Sequence, residues 1–453
     1  MKLYNTLTGT TETFTTSDDV VKMYVCGITP YSPSHLGHAL KAVVFDVLRR
    51  YLEYRGYQVK HVENFTDIDD KMINRAADEG TTIHELAERN IERYLGEMEA
   101  LNVLPAHVYP RATQEISKMQ ELIESLVEKG MAYAVGGDVY FRVRRDEDYG
   151  KLSRRSLDTM RSGTRIEAEP GKEDLMDFAL WKSQKPGEPA WDGPWGPGRP
   201  GWHIECSAMA MEYLGTVLDI HGGGQELIFP HHENEIAQTE SYTGVQPMAR
   251  FWVHNGLMRL GDEKMSKSLG NLVSVRDALE RYSSDSLRLF FLGSHYRSPT
   301  MYTDDGVESQ ERAMDRLRGA VVPADVAPGS EILDPSSFKT MFIEAMDDDL
   351  NTPRALAAMF ELIREINRGR EGGMNVTSAQ EVLLEVASVL GLTLDAKQRT
   401  GDIDPLIDLL IKSREELRSA KMYVQADGIR ERLEELGYVL EDSADGTTWK
   451  RRA

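Results

Sequence analysis

The sequence predicts an α/β chain: a Rossmann-like parallel sheet broken by an insertion, then an all-α helical bundle and a small C-terminal domain. Three observations predict it. A β-rich run at 22–26 is followed by a helical pattern over 36–55 and a second β-rich run at 58–62, which is a βαβ unit. Proline, glycine and tryptophan accumulate over 146–200 between two stretches that read as sheet. From Ser274 onward strand signals fade and amphipathic helical patterns take over.

Element by element, the helix over 36–55 places Leu40, Val43, Val44, Val47, Leu48 and Tyr51 on one side and stops at Gly56. Helical patterns follow over 68–78, 83–101 and 112–129, and 131–143, centred on Gly136-Gly137-Asp138, reads as a hairpin. The charged segment 146–200 reads as an insertion rather than a disordered linker, because Trp181, Trp191 and Trp195 are rarely left in solvent. The sheet resumes with strands at 217–221 and 251–254, with Gly222-Gly223-Gly224 as a turn between the first of them and a helix carrying His231 and Glu235. Helices are then expected over 275–281, 285–292, 307–318, 335–346, 352–368, 378–390 and 405–420, with a linker at 321–335. Asp347, Asp348 and Asp349 precede Thr352-Pro353, so they read as caps rather than cation ligands. The expected parts are 1–115 with 202–273 (the sheet domain), 116–201 (the insertion), 274–320 (a helical junction), 321–395 (the bundle) and 396–453 (the C-terminal domain).

Composition narrows the function classes. No stretch of 18 apolar residues is present and the first ten residues lack an apolar signal core, so a cytoplasmic protein without membrane contact is expected; a monomer is expected too, though nothing in the composition bears on it. Two cysteines without a disulfide pattern fit a reducing compartment. A net charge of −21 argues against non-specific binding of nucleic acid. The deficit is uneven: residues 412–453 carry nine Lys or Arg and nine Asp or Glu, which is compatible with docking one specific RNA.

Two short motifs carry the chemistry. His35-Leu36-Gly37-His38 opens a helix beyond the carboxyl end of a predicted strand, where open α/β sheets bind ligands. Far downstream, Lys264-Met265-Ser266-Lys267-Ser268 places two cations on a loop that can neutralise a departing pyrophosphate. In this order the motifs resemble those of class I aminoacyl-tRNA synthetases, with Leu36 where that family usually has Ile. The resemblance implies that ATP, with Mg2+, is held by Ile28, Thr29, Pro30, His35, Gly37, His38 and the 264–268 loop, with His35, His38, Lys264 and Lys267 as the catalytic groups.

Cys26 and Cys206 lie in no CxxC pair, so any thiolate site must be assembled across the fold; two buried apolar thiols are the alternative. His231 and Glu235, four residues apart, share one face of a helix and can bind one ion together. The segments Met23-Tyr24-Val25-Cys26-Gly27, Asn64-Phe65-Thr66-Asp67, Gly201-Trp202-His203-Ile204-Glu205-Cys206-Ser207 and Phe229-Pro230-His231-His232-Glu233-Asn234-Glu235 resemble the cysteinyl-tRNA synthetase family. That resemblance implies a zinc ion on Cys26, Cys206, His231 and Glu235, and an L-cysteine pocket bordered by Gly27, Thr66, Trp202 and His231. Zinc suits the selection problem. Serine differs from cysteine by one atom, which shape alone separates by only about 10 to 200-fold, whereas a soft thiolate on zinc far outcompetes a hard hydroxyl.

The same resemblance implies that the C-terminal domain binds the anticodon of a cysteine tRNA, with Arg414, Arg418 and Lys421 tracking phosphates from one helix face and Trp449 placed to stack on a base. An ordinary solvated charged face remains open beside it. Two other readings are carried. The stretch from Cys26 to Ala39 is also similar to mycothiol ligase, which passes activated cysteine to an amino sugar, and many cysteinyl-tRNA synthetases have Asn where His38 stands. Against it, Glu235 supplies a fourth ligand position that the ligase does not share, and a helical tail serves no evident purpose in a sugar ligase. A non-catalytic RNA-binding paralogue would show eroded motifs, and His35, His38, Lys264 and Lys267 are all present.

Overall fold

The computed structural model describes residues 1–16, 18–157, 171–260, 263–264, 273–323, 327–394, 404–443 and 446–451. Two compact units result, Met1–Asp395 and Ala396–Ala453.

In the first unit a short hairpin, β1 (Lys2–Asn5) and β2 (Thr10–Thr13), precedes β3 (Val20–Ile28), α1 (Leu36–Tyr54) and β4 (Gln58–Phe65). Helices α2 (Asp70–Glu79), α3 (Ile83–Ala100) and α4 (Ile116–Glu128) follow. Strands β5 (Ala132–Val135), β6 (Asp138–Phe141), β7 (Phe178–Ser183) and β8 (Gly198–Pro200) form an antiparallel sheet in that order. The segment with the Pro, Gly and Trp excess is therefore half of a folded sheet. Trp181 is wholly buried, and Trp191 and Trp195 pack against the same core.

The chain then forms α5 (Trp202–Leu214), β9 (Leu218–Gly224), α6 (Glu233–Thr243) and β10 (Ala249–Asn255). Strands β10, β9, β3 and β4 lie side by side in that order, all parallel. The predicted glycine turn is not there. Gly222, Gly223 and Gly224 continue β9, in register with Val253, His254 and Asn255. Their role is close approach: a Cβ on Gly222 would stand 2.2 Å from the Phe45 ring of α1.

Beyond the sheet come β11 (Met258–Leu260), β12 (Glu263–Lys264), α7 (Val275–Arg281), α8 (Ser284–Leu292), β13 (Thr300–Tyr302), α9 (Asp304–Val321), α10 (Ser336–Asp347), α11 (Thr352–Glu371) and α12 (Thr377–Val389). The helical periodicity carried over well, because each of these helices buries one apolar stripe. Strand signals after Ser274 were too faint for β13, three residues paired parallel to β11. The acidic run is not a set of caps. Asn351 caps α11 by accepting from Arg354 N, Asp347 accepts from Tyr51 Oη and pairs with Arg55, and Asp349 accepts from Tyr4 N and Tyr296 Oη. One buried arginine ties this region to the sheet domain: Arg288 donates to Leu390 O, Leu101 O and Asp46.

The second unit holds α13 (Asp404–Ser419), α14 (Tyr423–Glu435) and an antiparallel hairpin, β14 (Tyr438–Ser443) and β15 (Gly446–Arg451), around a core of Ile407, Ile411, Leu433 and Leu440. No helix among the described residues is long and apolar enough to cross a membrane.

Candidate active site and metal centre

From β3 the chain leaves through α1 to β4 on one side, and from β9 through α6 to β10 on the other. The crevice at the carboxyl ends of β3 and β9 is thus the switch point where open α/β sheets bind ligands. Cys26 sits near the end of β3, Cys206 in the second turn of α5 and Glu235 in the first turn of α6. His231 lies in the widened helical turn Ile228–His232, whose backbone departs from helical only at Phe229 and runs straight on into α6, so His231 and Glu235 come four residues apart on one helical path, as expected. The two meet, His231 Nε2 standing 3.0 Å from Glu235 Oε1.

The donor atoms of Cys26, Cys206, His231 and Glu235 all lie within 4.8 Å of one another, and all four residues are buried. Their spacing suits a tetrahedral ion. Two thiolates about 2.3 Å from one zinc stand about 3.8 Å apart, and a thiolate and a carboxylate oxygen about 3.6 Å. Cys26 Sγ is 3.7 Å from Cys206 Sγ and 3.5 Å from Glu235 Oε1. The His231–Glu235 contact is shorter than the about 3.4 Å of such a geometry, as befits a hydrogen-bonded pair.

The electrostatics of the cluster are lopsided. Burial pushes the Cys26 thiol well up, while the hydrogen bond from Cys26 brings Cys206 down to about 6. Burial alone would deprotonate His231, but Glu235 and Cys206 overrule it and push its pKa up to about 10. Burial likewise works against ionised Glu235, yet His221 and His231 hold its carboxyl well below the usual range. The cluster thus sets two anions, Cys206 and Glu235, against the His231 cation, with its remaining protons on Cys26 and His231.

Three histidines that the sequence reading passed over back this cluster. His221 Nε2 is 2.7 Å from Glu235 Oε2, and His221 stacks on Trp252 with centroids 4.4 Å apart. His232 reaches Cys26 Sγ at 3.3 Å through Nε2 and His254 Nε2 at 2.8 Å through Nδ1; His254 in turn meets Thr6 Oγ1. Burial keeps His232 and His254 neutral, the latter at about 3. Cys26, His221, His232 and Glu235 form a second compact donor group that shares two members with the first. A signal existed: His232 is three residues from Glu235 inside the quoted motif.

The neighbouring cavity, about 1060 Å³, opens between the parallel sheet and the inserted sheet and is lined by Thr29, Asp69, Lys182, Trp202, His203 and Phe229 among others. Trp202 stacks on His231 with centroids 4.3 Å apart and is 39% exposed, so it forms a rim. Thr66 is buried; its hydroxyl accepts from Asn64 Nδ2 and its N–H donates to Ile28 O. Of the three residues expected to touch ATP ahead of His35, Ile28 and Pro30 are buried with their carbonyls engaged by Thr66 N and Asn90 Nδ2, leaving Thr29 to face the cavity.

At the start of α1, His35 is the N-cap, its Nδ1 accepting from Gly37 N, and His38 Nδ1 accepts from His35 N. The two rings stack 3.8 Å apart. Because Nδ1 accepts in both, Nε2 is the ring nitrogen that carries a proton to donate to anionic oxygens. Lys264 ends β12 opposite Arg259, while Met265, Ser266, Lys267 and Ser268 lie outside the described residues. The chain re-emerges against α1: Val273 O accepts from Leu36 N, and Val275 N donates to Ser34 O. The stretch Val273–Val275, downstream of the second motif, thus lies against the first.

The C-terminal triad does not assemble as one basic face. Arg414 is 1% exposed, with Nη1 3.4 Å from Thr447 Oγ1, because its stem fills the space between α13 and the hairpin. Arg418 is exposed on α13, and Lys421 lies beyond the helix end at a φ of 60°. Trp449 is not an open stacking platform. It is half-buried and packs edge-on against Tyr438.

Residues 13–312 match the class I tRNA synthetase (C) catalytic domain, 341–395 the DALR domain and 400–449 the cysteinyl-tRNA ligase anticodon-binding domain. The chain is 54% identical to the cysteine–tRNA ligase of Dehalococcoides mccartyi strain 195 over 99% of both chains. It belongs to the cysteine–tRNA ligase family. The ligase of Caldicellulosiruptor saccharolyticus is 49% identical across the whole of both chains. Among solved structures, methionyl-tRNA synthetase of Mycobacterium tuberculosis with methionyl-adenylate shares the fold at a TM-score of 0.58 and 16% identity, over 82% of this chain and 89% of that one. A leucyl-tRNA synthetase ternary complex from Agrobacterium radiobacter does so at 0.61 and 11%, over 83% and 84%. A class I synthetase family member with a donor cluster able to hold a metal is therefore what the fold and the comparisons jointly describe.

Proposed function

We propose that this chain joins L-cysteine to a cysteine tRNA through cysteinyl-adenylate, selecting cysteine with one zinc ion on Cys26, Cys206, His231 and Glu235. The observation that carries this reading is the meeting of those four donors at the sheet's switch point, at separations that suit a tetrahedral ion. Zinc there would supply a soft Lewis acid that binds a thiolate and spurns a hydroxyl. The chain's own side chains do the rest. Gly27, Thr66, Trp202 and His231 border the amino acid. His35 and His38 hold nucleotide phosphates through Nε2–H, and Lys264 and Lys267, with Met265, Ser266 and Ser268 shaping the loop, stabilise charge on the leaving pyrophosphate, whose ATP arrives with Mg2+. The cysteine carboxylate attacks the α-phosphorus in line, and the terminal ribose hydroxyl of the tRNA then displaces AMP. Catalysis is positioning and charge stabilisation, with no covalent enzyme intermediate.

The segments divide this work: 1–115 with 202–273 hold the reaction, 116–201 roofs it, 274–320 and 321–395 form the helical junction and bundle, and 396–453 reads the anticodon. The match of 400–449 to an anticodon-binding domain supports the tRNA over an amino sugar as acceptor. A cytoplasmic monomer completes the reading. The test is transfer of labelled cysteine, with ATP, to a cysteine tRNA transcript and in parallel to glucosaminyl-inositol. Charging of the tRNA is expected; transfer to the sugar would make the chain a mycothiol-type ligase, and neither, in folded protein, an RNA-binding paralogue.

A further inference from the structure

The strand that presents Cys26 is irregular at that point. Pairing of β3 with β4 runs from Val20 opposite Gln58 to Val25 opposite Glu63, then slips, so that Ile28 comes to face Phe65; pairing with β9 ends at Val25. Two residues, Cys26 and Gly27, are thus set against one, Asn64. Such a bulge turns a side chain out of its ladder position. Two side chains hold the released peptide unit. Lys41 Nζ donates to Cys26 O at 2.8 Å, and Asn64 Oδ1 accepts from Gly27 N at 3.0 Å. The fit is tight, since a Cβ on Gly27 would stand 1.6 Å from Asn64 O.

Lys41 is an unusual residue for this work. It is only 7% exposed, on the buried side of α1, three residues after His38. Its ammonium also donates to Glu63 Oε1 at 2.8 Å, and that oxygen accepts from Tyr94 Oη of α3 at 2.8 Å. A buried ion pair contributes little net stability over an apolar pair of similar volume, so its presence is better explained by what it orients. Here that is the backbone of a donor residue.

We propose that Lys41, charge-balanced by Glu63, is a positioning residue for the amino-acid site: by holding the Cys26 carbonyl it sets where the Cys26 sulfur stands, and it ties that position to the helix that His35 caps and whose first turn carries His38. This rests on the reading of Cys26 as a zinc ligand. Lys41 touches neither substrate, so its effect falls on the thiol side and not on ATP. Removal of a group that orients a metal ligand typically costs about 10 to 100-fold in metal affinity or activity.

The experiment compares full-length wild type with the double variant Lys41→Met/Glu63→Gln, which leaves no unpaired buried charge. Three quantities are read: zinc affinity by chelator competition, the visible spectrum of the cobalt-substituted protein, and KM for cysteine and for ATP in pyrophosphate exchange. The expected result is a folded variant with zinc affinity lowered about tenfold or more, shifted cobalt bands, a cysteine KM raised by a similar factor and an ATP KM within about twofold of wild type. A folded variant whose zinc affinity, spectrum and cysteine KM all match wild type overturns the proposal. Should the double variant fail to fold, Lys41→Arg keeps the charge beside Glu63 while displacing the donor from the carbonyl, and the same two outcomes apply. Wild type without stoichiometric zinc would instead overturn the zinc reading beneath it.

Discussion

The donor cluster and the C-terminal basic triad both lie in segments that resemble one family, yet they behave oppositely in the structure. Cys26 and Glu235 are 209 residues apart and their side chains stand 3.5 Å apart. Arg414, Arg418 and Lys421 fall within eight residues and do not form one surface: Arg414 is buried, Arg418 is exposed, and Lys421 lies past the helix end. A metal centre is anchored by the strands and helices of a core, so distance along the chain is no obstacle. A face on a helix is set by what packs behind it, and beside a described core of Ile407, Ile411, Leu433 and Leu440 the Arg414 stem becomes part of the packing.

The change expected to alter the cluster most is Cys206→Ser. It should release zinc and reduce the preference for cysteine over serine to what shape alone provides, about 200-fold or less. Stoichiometric zinc in that variant, by elemental analysis, would place the metal elsewhere and break the comparison. The next largest effect belongs to the phosphate side. Lys267→Ala should slow pyrophosphate exchange by about 10²-fold while zinc stays bound, and unchanged exchange would remove its leaving-group role. Zinc uptake should also be strongly pH-dependent. At pH 7 the metal-free protein holds protons on Cys26, pushed up by burial, and on His231, at about 10 because of Glu235, whereas Cys206 at about 6 is mostly ionised. Binding then releases about two protons, and affinity rises with pH until those groups ionise unaided. Calorimetry in buffers of different ionisation enthalpy measures the number; no proton release would refute the charge assignment.

How much was legible follows from which forces act locally. The βαβ unit and the helices after Ser274 could be read because one-sided apolar patterns survive whatever they pack against. The strand through Gly222–Gly224 could not, since triple glycine ordinarily signals a turn and only pairing with Val253–Asn255 and the pressure of Phe45 explain it. In the inserted sheet, β8 is three residues long and sits among prolines, so its ladder partners and not its composition make it a strand. At the site, Glu235 and His231 were visible as a spacing, whereas the pairing of Cys26 with Cys206 needed the fold. His232 was visible only by its place three residues from Glu235, and His221 and His254 had no pattern of their own; they are strand residues that matter through what they face across the fold.

The smallest effects sharpen the other half of the comparison. If Arg414 is packing and Arg418 is surface, their substitutions should separate in kind. Arg414→Met keeps the apolar stem and loses the polar head, including the bond to Thr447, which costs on the order of 1–3 kcal/mol in a unit of 58 residues and should lower its melting midpoint in the intact chain. Arg418→Ala should leave stability within about 0.5 kcal/mol, as exposed substitutions do, and leave cysteine activation untouched. Its effect should show only with tRNA: the slope of log affinity against log salt falls by about 0.7 to 0.9 for one lost phosphate contact. A salt slope unchanged by Arg418→Ala but reduced by Arg414→Met, with the midpoint preserved, would mean that the buried arginine is the one that turns outward to meet RNA. The contrast between core-anchored and surface-borne sites would then have to be given up, because the same residue would serve as packing in the unbound chain and as contact in the complex.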